Sequence, residues 1–278
     1  MLKQRIITAV ILAPIVVAGL FLLPPMGFAL FTAAVLAIGG WEWANLAGVS
    51  RQAGRIGYAL ALMLAMVLFY QVPVLPMLMV VGVFWLGAFF LVHAYPERVS
   101  LWAPMGLQLA MGLVVLVGAW LALNHLRSGE LSLAGQGNNL LLILYTFLVV
   151  WAADIGAYFS GKAFGRRKLA PSVSPGKSWA GVYGGLGVVF LLATAVMVWL
   201  EPTPAQWVLF TLFSLATAFV SVLGDLLVSM LKRHRGIKDT SQLLPGHGGI
   251  MDRIDSLVAA IPVLALCFTL AGWLLPAA

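Results

Sequence analysis

Long apolar runs, broken at short intervals by polar, glycine- or proline-containing stretches, dominate the chain. Nine runs read as helices, over residues 6–23, 27–47, 57–72, 75–95, 101–125, 139–161, 181–200, 206–231 and 251–275. A bilayer core of about 30 Å takes roughly 20 residues of helix. Backbone inside hydrocarbon has to satisfy its own hydrogen bonds, and helices do so within a single segment. The pattern predicts an all-α, polytopic integral membrane helical bundle with about nine transmembrane helices. The third run is short and the second carries Glu42, so counts of eight or ten stay open. No repeat and no linker divides the chain, which reads as a single membrane domain over 1–278. Residues 1–130 hold N-terminal apolar spans nearly free of polar positions, and 139–275 hold the chemistry.

Composition supports the same class. The chain is 62% hydrophobic and 9% charged, where a soluble domain carries roughly 25% charged residues. The net charge of +7 suggests a polyanion, but the basic residues lie in short loops between apolar runs, which argues against nucleic acid and for membrane topology. With the N-terminus cytoplasmic, every Lys and Arg except Arg127 falls on the cytoplasmic side, and nine spans place the C-terminus opposite. Loops 162–180 and 232–250 together hold nine of the 16 basic residues. The first run mimics a secretory signal, but Pro24, Pro25 and Met26 follow it instead of a small-residue cleavage site, so an uncleaved span is expected. A single cysteine, Cys267, excludes a disulfide framework and a cysteine-based zinc site.

With only nine acidic residues in the chain, each is informative. Asp154 lies late in the sixth run, Asp225 inside the eighth, and Asp252 and Asp255 open the ninth. A carboxylate near the bilayer centre costs at least about 2.5 kcal/mol, which marks it as functional unless a buried cation partners it. Asp252 and Asp255 are spaced i, i+3 and share a helix face; Asp225, Ser229 and Lys232 follow i, i+4, i+7 along another. Two antiparallel helices joined by about 20 residues bring Asp225 toward Asp252. Such carboxylates suit a hard cation, and Mg²⁺ takes one or two of them with phosphate oxygens and water. Zinc does not fit, because the four histidines are scattered.

Both loops have features of phosphate cradles. In the second, Lys232, Arg233, Arg235 and Lys238 precede Pro245-Gly246-His247-Gly248-Gly249, where glycines admit a close phosphate and a helix start adds a favourable dipole. A solvated, positively charged loop explains those cations but not His-Gly-Gly beside two aspartates. In the first, Gly176-Lys177-Ser178 invites a P-loop reading that fails, since Pro171 stands where its first glycine belongs and no strand precedes it. Trp179 suits base stacking and a membrane interface equally.

At these residues the chain resembles the phosphatidate cytidylyltransferase (CDP-diacylglycerol synthase) family. The resemblance is carried by Ser229-x-x-Lys232-Arg233, Lys238-Asp239, and Pro245-Gly246-His247-Gly248-Gly249-x-x-Asp252-Arg253-x-Asp255. Gly224-Asp225-Leu226, Ser174-Pro175-x-Lys177-Ser178-Trp179 and Asp154-x-x-Ala157-Tyr158-x-x-Gly161 extend it over roughly 140–260. The chain departs at Val228 and Ala180, where the family usually has Glu. The resemblance implies attack of phosphatidate on the α-phosphorus of CTP at a bacterial-type cytoplasmic (inner) membrane. It implies Mg²⁺, with a second cation left open, held by Asp225, Asp252 and Asp255. Lys232, Arg233, Lys238, Asp239 and His247 join them as catalytic candidates. Asp154, Tyr158, Ser174, Pro175, Lys177, Ser178, Trp179, Ser229, Gly248, Gly249 and Arg253 are the substrate-binding candidates, and the analogy extends to a homodimer.

Two rivals are weighed against it. An ion-coupled transporter would use Asp154 and Asp225, but its inverted repeats are not seen, and the polar content is lopsided toward the C-terminal half. A CDP-alcohol phosphatidyltransferase would need an acidic motif that is absent.

Overall fold

The computed structural model describes residues 2–135 and 137–276, without the side chains of 2–7, 9 and 13. The charges expected at Lys3 and Arg5, and the last two residues of the expected domain, therefore lie outside the described parts. The helices are α1 (Leu2–Leu22), α2 (Pro25–Leu46), α3 (Gln52–Phe69), α4 (Val74–His93), α5 (Met105–Ser128), α6 (Asn139–Phe164), α7 (Trp179–Leu200), α8 (Pro204–Arg235), α9 (Met251–Ile254) and α10 (Leu257–Leu270). Eight candidate membrane spans are long and apolar enough to cross a bilayer: α2 to α8, and Met251–Leu270, which joins α9 and α10. The apolar part of α1, Val10–Leu22, is shorter. This is an all-α polytopic membrane bundle.

Local signals account for several boundaries. Thr203 and Gln206 close a capping box at the start of α8, with Pro204 in the first turn. Gly236, at φ 75°, ends that helix in the left-handed conformation glycine adopts without penalty. The helix thus runs past the expected 231, so Lys232 and Arg233 are helical residues rather than loop residues.

The ninth run is broken. Between Ile254 and Leu257, Asp255 Oδ1 accepts from the Ser256 amide at 2.8 Å, a local side-chain bond of the kind that competes with the helical ladder. The run also stops at Leu270, short of the expected 275, and turns at Gly272 (φ 71°). Strand β4 (Leu274–Leu275) then pairs antiparallel with β1 (Glu130–Leu131). Loop 162–180 likewise contains a hairpin of β2 (Lys168–Ala170) and β3 (Ser174–Ser178). These small ribbons are the only departures from helix among the named elements.

α5 is the most enclosed span, 61% of its apolar window being buried, whereas α3 has 17% buried and presents its apolar residues outward. Apolar residues on outer faces are what a bundle in lipid requires. Gly156, Gly184 and Gly185 bring α6 and α7 into backbone contact: a Cβ on Gly185 would stand 2.7 Å from the Ala153 carbonyl oxygen, and one on Gly156 equally close to that of Gly184. These small residues pack helices within the chain.

Candidate active site

At one end of the bundle a cavity of about 540 Å³ is lined by Asp154, Asp225, Asp239, Asp252 and Asp255 together with Lys232 and Arg253. Three helices and a loop meet there: α6 contributes Asp154, α8 contributes Asp225 and Lys232, α9 with the break after it contributes Asp252, Arg253 and Asp255, and the loop between α8 and α9 contributes Asp239. Gly224 permits the approach of α8 to the break, because a Cβ there would collide with the Asp255 carbonyl oxygen and stand 2.8 Å from the Ala259 Cβ.

Each carboxylate has a different set of partners. Asp225 Oδ2 lies 2.5 Å from Lys177 Nζ, and its Oδ1 accepts from the Ser229 hydroxyl at 3.0 Å. The i, i+4 face read from the sequence is thus a working hydrogen bond. Asp252 Oδ1 takes Lys232 Nζ at 2.7 Å. Its Oδ2 accepts the Thr240 amide at 2.8 Å and the Gly249 amide at 2.9 Å, and the Thr240 hydroxyl stands 2.9 Å away. Asp252 therefore both faces the cavity and ties down the loop before it. Among the described residues, no three His, Cys, Asp or Glu side chains stand together as a closed metal cage.

One residue of this site was missed. Glu42 on α2 is fully buried, and its carboxylate accepts from the Met251 amide at 2.6 Å, the Ile250 amide at 3.0 Å and the Ser241 hydroxyl at 2.5 Å. The Thr240 hydroxyl lies 3.1 Å from Glu42 and 2.9 Å from Asp252, so its one proton bridges the two carboxylates, serving one at a time. The signal was visible: an acid inside an apolar run needs a reason. Its partners lie about two hundred residues away, and no local spacing reveals them. The first five spans are thus not free of site chemistry.

The glycine turn is shaped by the same contacts. Gly248 has φ 80°, and a Cβ on it would stand 2.7 Å from Asp252 Oδ2. A Cβ on Gly249 would fall on the Thr240 hydroxyl and on Glu42. His247 donates its amide to the Leu244 carbonyl at 2.9 Å, and its ring Nδ1 is buried without a partner. It does not line the cavity.

The β2–β3 hairpin stands beside this cavity. A second space of about 210 Å³ is lined by Asp154, Tyr158, Lys177 and Ser178, so Asp154 borders both. Ser178 is buried, with its hydroxyl accepting from the Gly181 amide at 3.2 Å as the N-cap of α7. The Arg167 guanidinium lies 5.8 Å from the Trp179 ring centroid. Trp179 faces a third, largely apolar space of about 230 Å³. Ser174 and Pro175, at the start of β3, line none of the three spaces. Arg233 points away from the carboxylates and donates to the Val173 carbonyl at 3.1 Å. Lys238 is exposed beyond the cavity wall.

A polar, carboxylate-rich cavity at the end of a membrane bundle, with lysines paired to its acids, is the candidate active site of a membrane enzyme. Comparison with known proteins agrees. The profile of the cytidylyltransferase family matches residues 3–271. A phosphatidate cytidylyltransferase of Pseudomonas aeruginosa is 50% identical over 275 residues, covering 98% of this chain and 99% of that one. One of Haemophilus influenzae is 42% identical, covering 94% and 96%, and one of Brucella suis is 34% identical, covering 95% and 92%. The chain belongs to the cytidylyltransferase family and is a nucleotidyltransferase.

Proposed function

We propose that the chain transfers CMP from CTP to phosphatidate, giving CDP-diacylglycerol and pyrophosphate, with a divalent cation and at the cytoplasmic face of a bacterial inner membrane. The carrying observation is the cavity itself, where five aspartates face Lys232 and Arg253 at the mouth of an apolar bundle. The three relatives above are named phosphatidate cytidylyltransferases. The cytoplasmic assignment is supported by loops 162–180 and 232–250, which hold nine of the 16 basic residues.

A phosphate oxygen of phosphatidate attacks the α-phosphorus of CTP. The new P–O bond forms as the bond from that phosphorus to the β-phosphate's bridging oxygen breaks, and pyrophosphate leaves with the electron pair. A phosphate monoester is largely dianionic at neutral pH, so the attacker needs no protein base. Positioning and charge neutralisation carry the catalysis. Lys232, Arg253 and Lys177 meet phosphate charge. Exposed Lys238 and Arg233 attract the nucleotide from the rim.

The donor set fits Mg²⁺, which asks for one or two carboxylates and takes its remaining oxygens from phosphates and water. Asp225 and Asp255 would supply them, Asp225 once Lys177 gives up its Oδ2, and Asp252 would join once Lys232 releases its Oδ1. A cation held there would lower the charge repulsion between the two phosphate substrates.

The test is purified protein with labelled CTP and phosphatidate, with and without Mg²⁺. The expected result is metal-dependent CDP-diacylglycerol with one pyrophosphate per turnover. Absence of that product from folded protein would overturn the reading.

A further inference from the structure

The polar cavity has an apolar continuation. Leu257, the first residue of α10, lines both the carboxylate cavity and a separate groove of about 120 Å³. The groove is walled by Phe31, Val35 and Leu36 of α2, Phe147 of α6 and Val258 and Ile261 of α10, with Val16 and Leu20 of α1 closing its outer side. Its single polar lining side chain, Thr32, spends its hydroxyl on the carbonyls of Phe28 and Ala29 at 2.8 and 3.1 Å. A ligand in the groove therefore meets hydrocarbon alone.

Three helices give the groove one direction. At a rise of 1.5 Å per residue, Ile261 lies about 6 Å beyond Leu257 along α10, and Phe147 about 6 Å back along α6 from Trp151, a wall of the polar cavity. On α2, Leu36 lies about 9 Å from Glu42, which holds the site loop. α10 runs away from the site end of the bundle while α2 and α6 run toward it. All three nevertheless place groove residues on the same, deeper side of the carboxylates. At the site end, the Thr8 hydroxyl of α1 donates to the Pro245 carbonyl at 2.9 Å, so the outer wall is fastened to the loop that borders the reaction.

We propose that this groove holds one acyl chain of the diacyl lipid substrate, with Leu257 marking the passage from headgroup to tail. The inference rests on the proposed phosphatidate chemistry and adds where the lipid is gripped. Lys232 and Arg253 face a phosphate on one side of Leu257, while the purely apolar walls accept a methylene chain on the other. Burial of each methylene contributes roughly 0.8 kcal/mol to transfer from water. In lipid that gain is already made, so the groove acts by orientation: a chain seated in it fixes the phosphate against the α-phosphorus.

Val35→Trp fills the groove from a half-buried position that touches neither cavity acid nor cation. With dioleoyl phosphatidate, kcat/KM is expected to fall tenfold or more; with dihexanoyl phosphatidate, whose chains are about a third as long, it should stay within twofold. The short-chain rate also reports that the variant is folded. Equal loss with both lipids, or loss with neither, overturns the groove. A second measurement uses the wild-type protein and phosphatidate carrying a diazirine at one chain end. Labelled peptides from α2 and α10 support the proposal. Labels confined to Phe89, Phe219 and Val222 around the third cavity sink it. Equal labelling by a phosphatidylcholine of the same chains, which indicates bulk lipid, sinks it as well. If wild-type protein forms no CDP-diacylglycerol at all, the reaction is wrong, whereas the labelling still decides the groove.

Discussion

The Glu42 carboxylate accepts from the Met251 amide at 2.6 Å, across 209 positions of sequence, and so joins the second helix to the start of the last span. Because the same carboxylate also takes Ile250 and Ser241, it holds the turn from which Asp252 reaches the cavity. Glu42→Gln turns an all-acceptor group into one that presents N–H toward N–H. A buried donor left unsatisfied costs about 1–3 kcal/mol. A fall in thermal midpoint in detergent and a turnover reduced at least tenfold are expected, with Glu42→Asp intermediate. Wild-type values for both in Glu42→Gln would show that the loop is held by other contacts.

The glycine turn makes a sharper test. Gly249→Ala would drive a methyl into Glu42 and the Thr240 hydroxyl, so loss of nearly all CDP-diacylglycerol synthesis is expected. Gly187→Ala is the control: nothing lies within 4 Å of its Cβ position, and alanine favours helix over glycine by about 1 kcal/mol. Its activity should match wild type.

Lys232 and Asp252 form a mostly buried pair, their side chains 13% and 4% exposed. Removing one partner of a buried pair costs about 3–5 kcal/mol, because it strands the other charge. Asp252→Asn and Lys232→Met should each lower stability and turnover strongly, and the double variant should be no less stable than either single one. Additive losses of stability would show that the two side chains act independently.

Lys177 competes for Asp225 with the proposed cation. Its ammonium occupies Asp225 Oδ2 at 2.5 Å, a position a metal would use. Lys177→Met is therefore expected to tighten binding of Mn²⁺, read by electron paramagnetic resonance without substrate, several-fold. It should raise the KM for CTP at the same time. Unchanged or weaker Mn²⁺ binding would remove Asp225 from the cation site.

Much of this was legible in the chain. Apolar runs of bilayer length are helices in lipid, so an all-α bundle of about nine spans, with eight or ten left open, followed from hydropathy alone, and eight helices are long and apolar enough to cross. The Asp225–Ser229–Lys232 face followed from helical periodicity, because contacts at i+4 are set by local geometry. Rare acids in apolar runs marked Asp154, Asp225, Asp252 and Asp255, and all four line one cavity. What stayed hidden was which individual side chains and amides of distant segments pair with one another. The sequence brought Asp252 toward Asp225, and both line the cavity, but it did not reveal that each acid has its own lysine, Lys232 for Asp252 and Lys177 for Asp225. The break at Asp255 also escaped the pattern, since an apolar run reads the same whether or not a side chain interrupts its ladder. Glu42 shows the division most clearly. Its sequence context announced that a charge inside an apolar helix must have partners, and only the tertiary structure decided that these are amides and hydroxyls of the segment from Thr240 to Met251, because hydrogen-bond partners depend on where the chain returns in space.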